Sequence, residues 1–242
     1  MREGGKILAE IIRKISQIVR PGIPTKDLDK LARELFRFYK VRPAFLNYNG
    51  FPASVCISLN DEVVHGVPSD RILREGDVLS LDVGIEYEGF FTDSAVTIPV
   101  LSGLTRDQWV KDNPKLNKLI ETTKTALNAG IKQAKVDNRL GKVSNTIQNI
   151  AEKEGFSVIR EMVGHGIGRQ LHEEPQIPNY GRPNDGPVLE EGMVLAIEPM
   201  ISAGDWHLVQ DGLTYKTKDG SWTAHFEHTV AITKDGPMVL TE

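Results

Sequence analysis

The stretch VLSLDVGIEYEGFFTDSAVTI, residues 78–98, predicts two short strands joined by a tight turn. Both segments are apolar and rich in β-branched residues, which is typical of paired strands. If Tyr87 and Glu88 form the tip of the turn, Asp82 lies directly opposite Asp93 on one face of the hairpin. Directly opposed residues have Cβ atoms about 4.5–5.5 Å apart, so the two carboxylates would meet.

Two carboxylates this close repel each other unless a shared proton or a cation offsets the repulsion. A divalent cation is the natural partner of such a pair. The alternative is that Asp82 and Asp93 face solvent beside a turn, where Asp is common. Against this alternative, Asp is depleted in strand interiors. The hairpin alone leaves both interpretations open.

Three further side chains suggest a buried reactive site. His165 lies in the glycine-rich segment Gly164-His165-Gly166-Ile167-Gly168, whose small residues let the backbone approach a ligand closely. Glu198 ends one apolar strand and Glu227 interrupts another, and a buried carboxylate is costly unless it is paired or binds a metal. The alternatives are a structural histidine in a turn and two edge-strand carboxylates that face water.

Two other histidines have less decisive surroundings. His172 follows His165 by seven residues, which strengthens the case for a site but matches no metal motif. His65 stands among apolar neighbours, where a hydrogen-bonded core histidine is the usual explanation. Its following Gly-Val-Pro favours a constrained loop, so the role of His65 stays open at this point.

Together Asp82, Asp93, His165, Glu198 and Glu227 supply four carboxylates and one imidazole. Their formal charge of about −4 would be offset by two divalent ions. Ligands that are mostly oxygen favour Mn, Fe, Co or a carboxylate-bridged Zn pair over a structural zinc site. Such a pair of ions can share a water, lower its pKa and direct it at a carbonyl group.

The order of elements predicts an α+β fold of two similar halves that share the site. Helices are expected where apolar residues recur every three to four positions, and strands where β-branched residues cluster. The predicted helices cover 6–19, the segment from about 25, and much of 101–155. The predicted strands cover 54–60, 78–85, 90–98, 156–163, 193–200 and 222–233.

Composition excludes several other classes of protein. The chain has 242 residues and a formal charge of −4, without the long basic run expected for nucleic-acid binding. Cys56 is the single cysteine, so neither an internal disulfide nor a thiolate metal cage is expected. No segment approaches the roughly 20 apolar residues of a membrane span, and a cytoplasmic location is expected.

Five segments together resemble the bacterial-type, type I methionine aminopeptidases, a family with the pita-bread fold. The likeness extends over nearly the whole chain, and five motifs in order make it specific. It implies one catalytic domain, residues 1–242, whose two pseudo-symmetric halves of antiparallel strands enclose a dinuclear metal site, with helices outside. The segments are NYNGFPASVCISLNDEVVHGVP (47–68), LSLDVGIEYEGFFTDSAVT (79–97), VGHGIGRQLHEEPQIPNYG (163–181), LEEGMVLAIEPM (189–200) and DGLTYKTKDGSWTAHFEHTV (211–230).

The resemblance also implies a role for each site residue. The metal ligands would be Asp82, Asp93, His165, Glu198 and Glu227, of which Asp93 and Glu227 would bridge two ions. Glu198 would also accept a proton from the attacking water. The remaining residues would contact the substrate: His65 and His172 beside the scissile amide, and Tyr48, Phe51 and Cys56 around the methionine side chain.

The implied reaction removes the N-terminal methionine from nascent proteins whose second residue is small. The ribosome is a candidate partner, a monomer is expected, and neither nucleic acid nor membrane is. Some positions depart from the commonest family pattern. In the pocket wall, Leu171 stands where an aromatic residue is frequent, Phe51 where Tyr is frequent and Leu213 where Trp is frequent. These differences put the fine specificity for substrate in doubt. Segments 101–115 and 204–207 match poorly and are interpreted as surface loops.

Two other functions compete with this one. The nearest rival is another peptidase of the same fold that cleaves before or after proline, although such relatives usually carry an additional N-terminal domain and NYNGFPASVC favours methionine. A binding protein that kept the fold and lost its metals is disfavoured, because all five ligands are present.

Overall fold

A computed structural model describes residues 1–103 and 105–242. Within them the chain alternates helix pairs with groups of short strands, as the sequence predicts. The helices are α1 (Arg2–Ile18), α2 (Thr25–Tyr39), α3 (Arg106–Asp112), α4 (Pro114–Gln133) and α5 (Gly141–Lys153). The strands are β1 (Arg42–Pro43), β2 (Cys56–Leu59), β3 (Glu62–Val64), β4 (Val78–Tyr87), β5 (Phe90–Pro99), β6 (Ser157–Val158), β7 (Val163–Gly166), β8 (Glu173–Pro178), β9 (Val194–Ile197), β10 (Met200–Ser202), β11 (Leu208–Asp211), β12 (Thr214–Thr217), β13 (Thr223–His225), β14 (Glu227–Thr233) and β15 (Gly236–Val239).

One nine-stranded sheet joins the two halves of the chain. Its main order is β1-β4-β5-β14-β9-β7-β8, with β2 added to β4 and β15 added to β14. The strand pairs are antiparallel, and the seam between the halves is the pair of β5 with β14. Two three-stranded sheets, β13-β10-β6 and β11-β12-β3, complete the strand layer.

Helices cover the outer face of the large sheet and bury its apolar side chains. Because side chains alternate along a strand, Leu81, Val83 and Ile85 of β4 point to this outer face. They pack with Leu8 and Ile15 of α1 in a buried core. A second core packs α4 and α5 against β9 and β14. The opposite, inner face of the strands is left for polar side chains.

The central hairpin has a different register from the predicted one. Tyr87 pairs with Phe90, so the tip is Glu88-Gly89, and both tip residues have positive φ, +51° and +79°. A two-residue turn of this kind favours glycine at its second position, which a tip at Tyr87-Glu88 would not supply. The prediction that Asp82 lies directly opposite Asp93 is therefore wrong. Asp82 pairs with Ala95, and Asp93 pairs with Gly84.

The shift of two residues preserves the face, because side chains alternate with a period of two. Asp82 and Asp93 are thus diagonal neighbours on the inner face. Diagonal neighbours lie about 7–8 Å apart at the backbone, still within reach of each other's side chains.

The interpretation of 101–115 as a surface loop is also wrong. This segment contains α3, and the indole of Trp109 is fully buried. Trp109 packs in the core with α4, so its apolar surface makes this segment part of the scaffold. Leu104 lies outside the described residues. Segment 204–207 does lie at the surface, where Asp205 and His207 are exposed.

In the part of the chain that the structure describes, no helix is both long enough and apolar enough to cross a membrane.

Candidate metal centre

Two crossings between sheets bring the second-half carboxylates beside the hairpin. The chain passes from β9 to β10 through Glu198-Pro199, and from β13 to β14 through Phe226. These crossings lie side by side, since His228 pairs with Ile197 and Met200 pairs with His225. Regular pairing lapses between them. Glu198 and Glu227 therefore project from a corner where the strands bend.

His165 lies on β7, which is paired on both sides. It pairs with Gln176 of β8 and with Ala196 of β9. A Cβ atom at Gly164 would lie 2.4 Å from the carbonyl oxygen of Ala196, and one at Gly166 would lie 2.2 Å from that of Glu174. Because contacts this short are forbidden, the two glycines let β7 fit between its neighbours and fix the position of the imidazole.

The tautomer of His165 follows from its hydrogen bond. Its Nδ1 lies 2.9 Å from the carbonyl oxygen of Gly166, which can only accept, so Nδ1 carries the hydrogen. Burial lowers the pKa of His165 to about 4, and the ring is neutral near pH 7. Its Nε2 is then unprotonated, which is the state that binds a metal ion.

The five predicted ligands come together on the inner face. Oxygen and nitrogen atoms of Asp93, His165 and Glu227 all lie within 4.8 Å of one another. Glu198 Oε1 lies 3.6 Å from His165 Nε2. Asp82 lies close enough to Asp93 for the charge of Asp93 to raise the pKa of Asp82, so Asp82 belongs to the same group.

Two observations show that a cation fits this group. Asp82 Oδ1 and Glu227 Oε1 are buried and have no hydrogen-bond partner in the described residues. An unpaired buried carboxylate oxygen is costly, and a divalent ion would remove that cost for both. The second observation is that the donors are mostly oxygen with one imidazole, which suits Mn, Fe, Co or Zn.

Crowding and burial disfavour four negative charges here. Burial raises the pKa of Asp82, Glu198 and Glu227 well above the ordinary values. Burial, together with the charge of Glu198, raises the pKa of Asp93 to about 7. The site therefore holds protons when it holds no cation.

A cavity of about 310 Å³ connects this group to the surface. His65 and His172 lie at its rim, both exposed. His65 has φ +59°, an uncommon conformation for a residue with a bulky side chain, which is consistent with a functional constraint. All ten residues singled out from the sequence line the cavity: Tyr48, Phe51, Cys56, His65, Asp82, Asp93, His165, His172, Glu198 and Glu227.

Sequence reasoning missed several residues of this region. Phe45, Met162 and Met200 also line the cavity. They carry no signal that separates them from ordinary core residues. His225 lies directly behind Glu198, with its Nε2 3.5 Å from Glu198 Oε2. Its position two residues before Glu227 was a usable signal, because strand periodicity directs residues two apart to one face.

Comparison with known proteins agrees with the fold. The profile of metallopeptidase family M24 matches residues 1–234. Methionine aminopeptidase 1 of Bacillus subtilis is 46% identical over 100% of this chain and 94% of its own length, and the Aquifex aeolicus methionine aminopeptidase is 45% identical over 100% and 95%. The crystal structure of the Thermotoga maritima methionine aminopeptidase superposes with a TM-score of 0.93, at 46% identity over 100% of this chain and 95% of that one. A Pyrococcus horikoshii prolidase, 22% identical over 100% of this chain and 60% of that one with a TM-score of 0.74, shares the fold.

The fold and the donor group define a metal-dependent hydrolase. The chain belongs to metallopeptidase family M24, and within it to the methionine aminopeptidases. The predicted pita-bread fold is thereby confirmed.

Proposed function

We propose that this metallopeptidase removes the N-terminal methionine from nascent proteins whose second residue is small. The observation that carries the proposal is one cavity with two chemically different parts. Its base holds the carboxylates and His165, while its wall is apolar and contains Phe45, Phe51 and Leu171. A methionine side chain fits such a wall, and the named relatives support the same substrate.

We assign Asp82, Asp93, His165, Glu198 and Glu227 as the residues that would hold the divalent metal ions. Mn, Fe, Co and Zn all suit this set of donors. When bound, the ions supply Lewis-acid activation of a water and of the scissile carbonyl. Any carboxyl group of this set that is protonated would release its proton when a cation binds, whereas His165 Nε2 is already unprotonated.

Glu198 is the proposed proton acceptor. Burial raises the pKa of its carboxyl group in the metal-free site, and bound cations would lower it and hold the group as a carboxylate that can accept a proton. Its side chain is only 12% exposed, so few bulk water molecules compete for the proton. Glu198 would take one proton from the attacking water and pass it to the leaving amine.

His172 is the proposed donor to the developing tetrahedral oxygen. Its Nδ1 lies 2.7 Å from the hydroxyl oxygen of Tyr48. If the hydroxyl donates to Nδ1, the neutral ring carries its hydrogen on Nε2 and can donate it to the substrate. Partial loss of hydration of the ring within the cavity lowers the pKa of His172, which keeps this ring neutral. His65 would contact the substrate from another part of the rim.

The methionine side chain would lie among Tyr48, Phe51 and Cys56. Thioether sulfur makes favourable contacts with aromatic rings, and Phe51 and Tyr48 supply these. Burial raises the pKa of the Cys56 thiol, with Asp82 as a further cause, so the sulfur stays uncharged. An uncharged thiol preserves the apolar character of the wall.

The wider setting stays a prediction. We propose that residues 1–242 act as one catalytic domain, which the shared β5–β14 seam supports. A cytoplasmic location, the ribosome as a partner and a monomeric state are the expectations that accompany this function.

The decisive experiment is reconstitution of metal-stripped protein with Mn²⁺, Fe²⁺, Co²⁺ and Zn²⁺ separately. We expect at least one ion to restore hydrolysis of Met-Ala-Ser, with little turnover of an Xaa-Pro dipeptide. Asp93→Ala should lower kcat/KM by more than about 100-fold, because even the loss of a residue that supports a ligand costs 10–100-fold. The exposed Asp205→Ala is the matched control and should retain activity.

Other outcomes would favour the competing functions. Faster turnover of the proline substrate would make the protein a proline-specific peptidase. Undiminished turnover by Asp93→Ala would remove Asp93 from the mechanism. If metal-stripped protein hydrolyses neither substrate after any of the four ions is added, the result would support a binding protein without peptidase activity.

A further inference from the structure

His225 is a buried polar side chain that the proposed mechanism does not use. It ends β13, one residue before the crossing to β14, and is 2% exposed. Its Nε2 is buried and has no hydrogen-bond partner in the described residues. An unpaired buried nitrogen is costly, so this arrangement requires an explanation.

The backbone of His225 is held firmly in place. Its amide nitrogen donates to the hydroxyl oxygen of Thr97 at 2.8 Å, and that hydroxyl donates to the carbonyl oxygen of His225 at 2.7 Å. Thr97 lies on β5, the strand that carries Asp93. The backbone of His225 is therefore fixed relative to β5 and Asp93, and only rotation of the side chain changes the position of the ring.

Glu198 lies between two imidazoles. Its Oε1 is 3.6 Å from His165 Nε2, and its Oε2 is 3.5 Å from His225 Nε2. Because His165 carries its hydrogen on Nδ1, its Nε2 cannot donate to Glu198. His225 Nε2 is thus left as the neighbouring donor for the Glu198 carboxylate. A small rotation of either side chain would close 3.5 Å to a hydrogen bond, and such bonds are often long before ligands bind.

We propose that His225 is a positioning residue for Glu198. Its Nε2–H donates to Glu198 Oε2, which orients the carboxylate and leaves Oε1 directed towards His165 and the metal centre. The hydrogen bond prevents the carboxylate from rotating away from the ligand geometry. Supporting hydrogen bonds of this kind commonly fix metal ligands in place. This inference rests on the proposed function, because it names His225 as the residue that orients the proposed proton acceptor, Glu198.

Two substitutions separate hydrogen bonding from packing. His225→Gln retains an N–H donor at the end of a side chain of similar reach, whereas His225→Leu fills the space without a donor. We expect His225→Leu to lower kcat on Met-Ala-Ser by about 10–100-fold, with KM changed much less. His225→Gln should recover most of the lost kcat. The rescue depends on the donor and not on volume.

Binding of Mn²⁺ to the metal-stripped proteins gives a second readout that needs no substrate. We expect His225→Leu to weaken Mn²⁺ binding by about tenfold, measured calorimetrically, and His225→Gln to restore it. This readout holds even if the true substrate is not a methionyl peptide. Failure of the proposed function would abolish turnover by wild-type protein, whereas failure of this inference would leave Mn²⁺ affinity equal in all three proteins.

His228→Leu is the matched control. His228 lies three residues further along the chain, and its Nδ1 pairs with the hydroxyl oxygen of Thr241, away from the cavity. This variant should lose some thermal stability and retain both kcat and Mn²⁺ affinity. Circular dichroism melting confirms that each variant is folded. If His225→Leu is too unstable, His225→Met replaces it.

The inference is overturned by either of two results. A folded His225→Leu variant with wild-type kcat and Mn²⁺ affinity would show that Glu198 needs no support from His225. Equal losses in His225→Gln and His225→Leu would show that the imidazole acts through packing.

Discussion

At the scale of single residues, the two rim histidines are held by different contacts. The ring of His172 accepts or donates at Tyr48, and it also packs against His165 with ring centroids 4.2 Å apart. His65 instead packs edge-on against Tyr215 at 5.7 Å and has a left-handed backbone conformation. These contacts place the ring of His172 beside the proposed ligand His165 and orient the ring of His65 against Tyr215 of β12. The two histidines are therefore not interchangeable.

Tyr48→Phe tests the orientation of His172. The substitution keeps the aromatic ring in the cavity wall and removes only the hydroxyl group that contacts Nδ1 of His172. A single hydrogen bond contributes about 0.5–1.5 kcal/mol, so we expect kcat/KM on Met-Ala-Ser to fall by about 2–13-fold. The loss should appear mainly in kcat, because the pocket keeps its shape.

Tyr180→Phe is the control for this change. Tyr180 is also partly exposed, but its ring contacts Arg160 and it lies outside the cavity lining. Its substitution should leave kcat/KM unchanged. A Tyr48→Phe protein with wild-type kcat would mean that His172 needs no help from the hydroxyl group.

At the scale of elements, the apolar periodicity predicted the helices and the central hairpin but missed the places where strands bend from one sheet to another. The helices near 6–19 and 25 and the hairpin at 78–98 were predicted, and they lie close to their predicted bounds. The corner that projects Glu198 and Glu227 was not predicted, because its strands change sheets within one or two residues. Apolar alternation continues through such a crossing without a signal. Periodicity also could not set the hairpin register, because the register depends on a single glycine, Gly89, at the tip of the turn.

Strand β7 offers a test of the close packing around His165. Gly164→Ala would place a Cβ atom 2.4 Å from the carbonyl oxygen of Ala196 and 3.3 Å from Glu198 Cγ. Since β8 and β9 hold β7 from both sides, the extra methyl group must displace backbone. We expect the free energy of unfolding to fall by about 1–3 kcal/mol, together with weaker Mn²⁺ binding, because Glu198 moves with β9.

Gly103→Ala is the control for this prediction. A Cβ atom there meets no described atom within 4 Å, and the residue has no strained backbone angle. Urea unfolding of both variants measures the difference. If Gly164→Ala unfolds at the wild-type urea concentration, β7 has more room than its neighbours indicate.

At the scale of the whole molecule, the site joins residues from position 82 to position 227. The sequence predicted their identity, because carboxylates inside apolar strands are rare enough to suggest a common cause. It did not predict His225, since a histidine among apolar residues usually belongs to the core. For α3 it gave two answers, because the apolar pattern predicted helix over much of 101–155, whereas the poor match of 101–115 to the family was interpreted as a surface loop. The residues of the candidate site were therefore easier to predict than the residues that hold them in place, because the latter depend on contacts between distant segments.

The crowding of four carboxylates predicts that cation affinity depends steeply on pH. Burial and the charge of Glu198 raise the pKa of Asp93 to about 7 from an ordinary value of 3.8. Below pH 7 the metal-free site therefore holds a proton that a cation must displace, and affinity falls as pH falls. Each displaced proton changes the affinity by about tenfold for each pH unit. His165 does not contribute in this range, because its pKa is about 4 and its ring is already neutral.

Calorimetric titration of metal-stripped protein with Mn²⁺ at about pH 6 and about pH 7.5 measures this dependence. We expect affinity at the lower pH to be weaker by more than about tenfold, and the gain in melting temperature on adding Mn²⁺ to shrink in parallel. Asp93→Asn is the control, because its amide cannot take up a proton and its pH dependence should be shallower. Equal affinities at the two pH values would show that the carboxylates are already ionised without a cation. Repulsion would then have to be relieved within the protein itself, which would contradict the unpaired oxygens of Asp82 and Glu227.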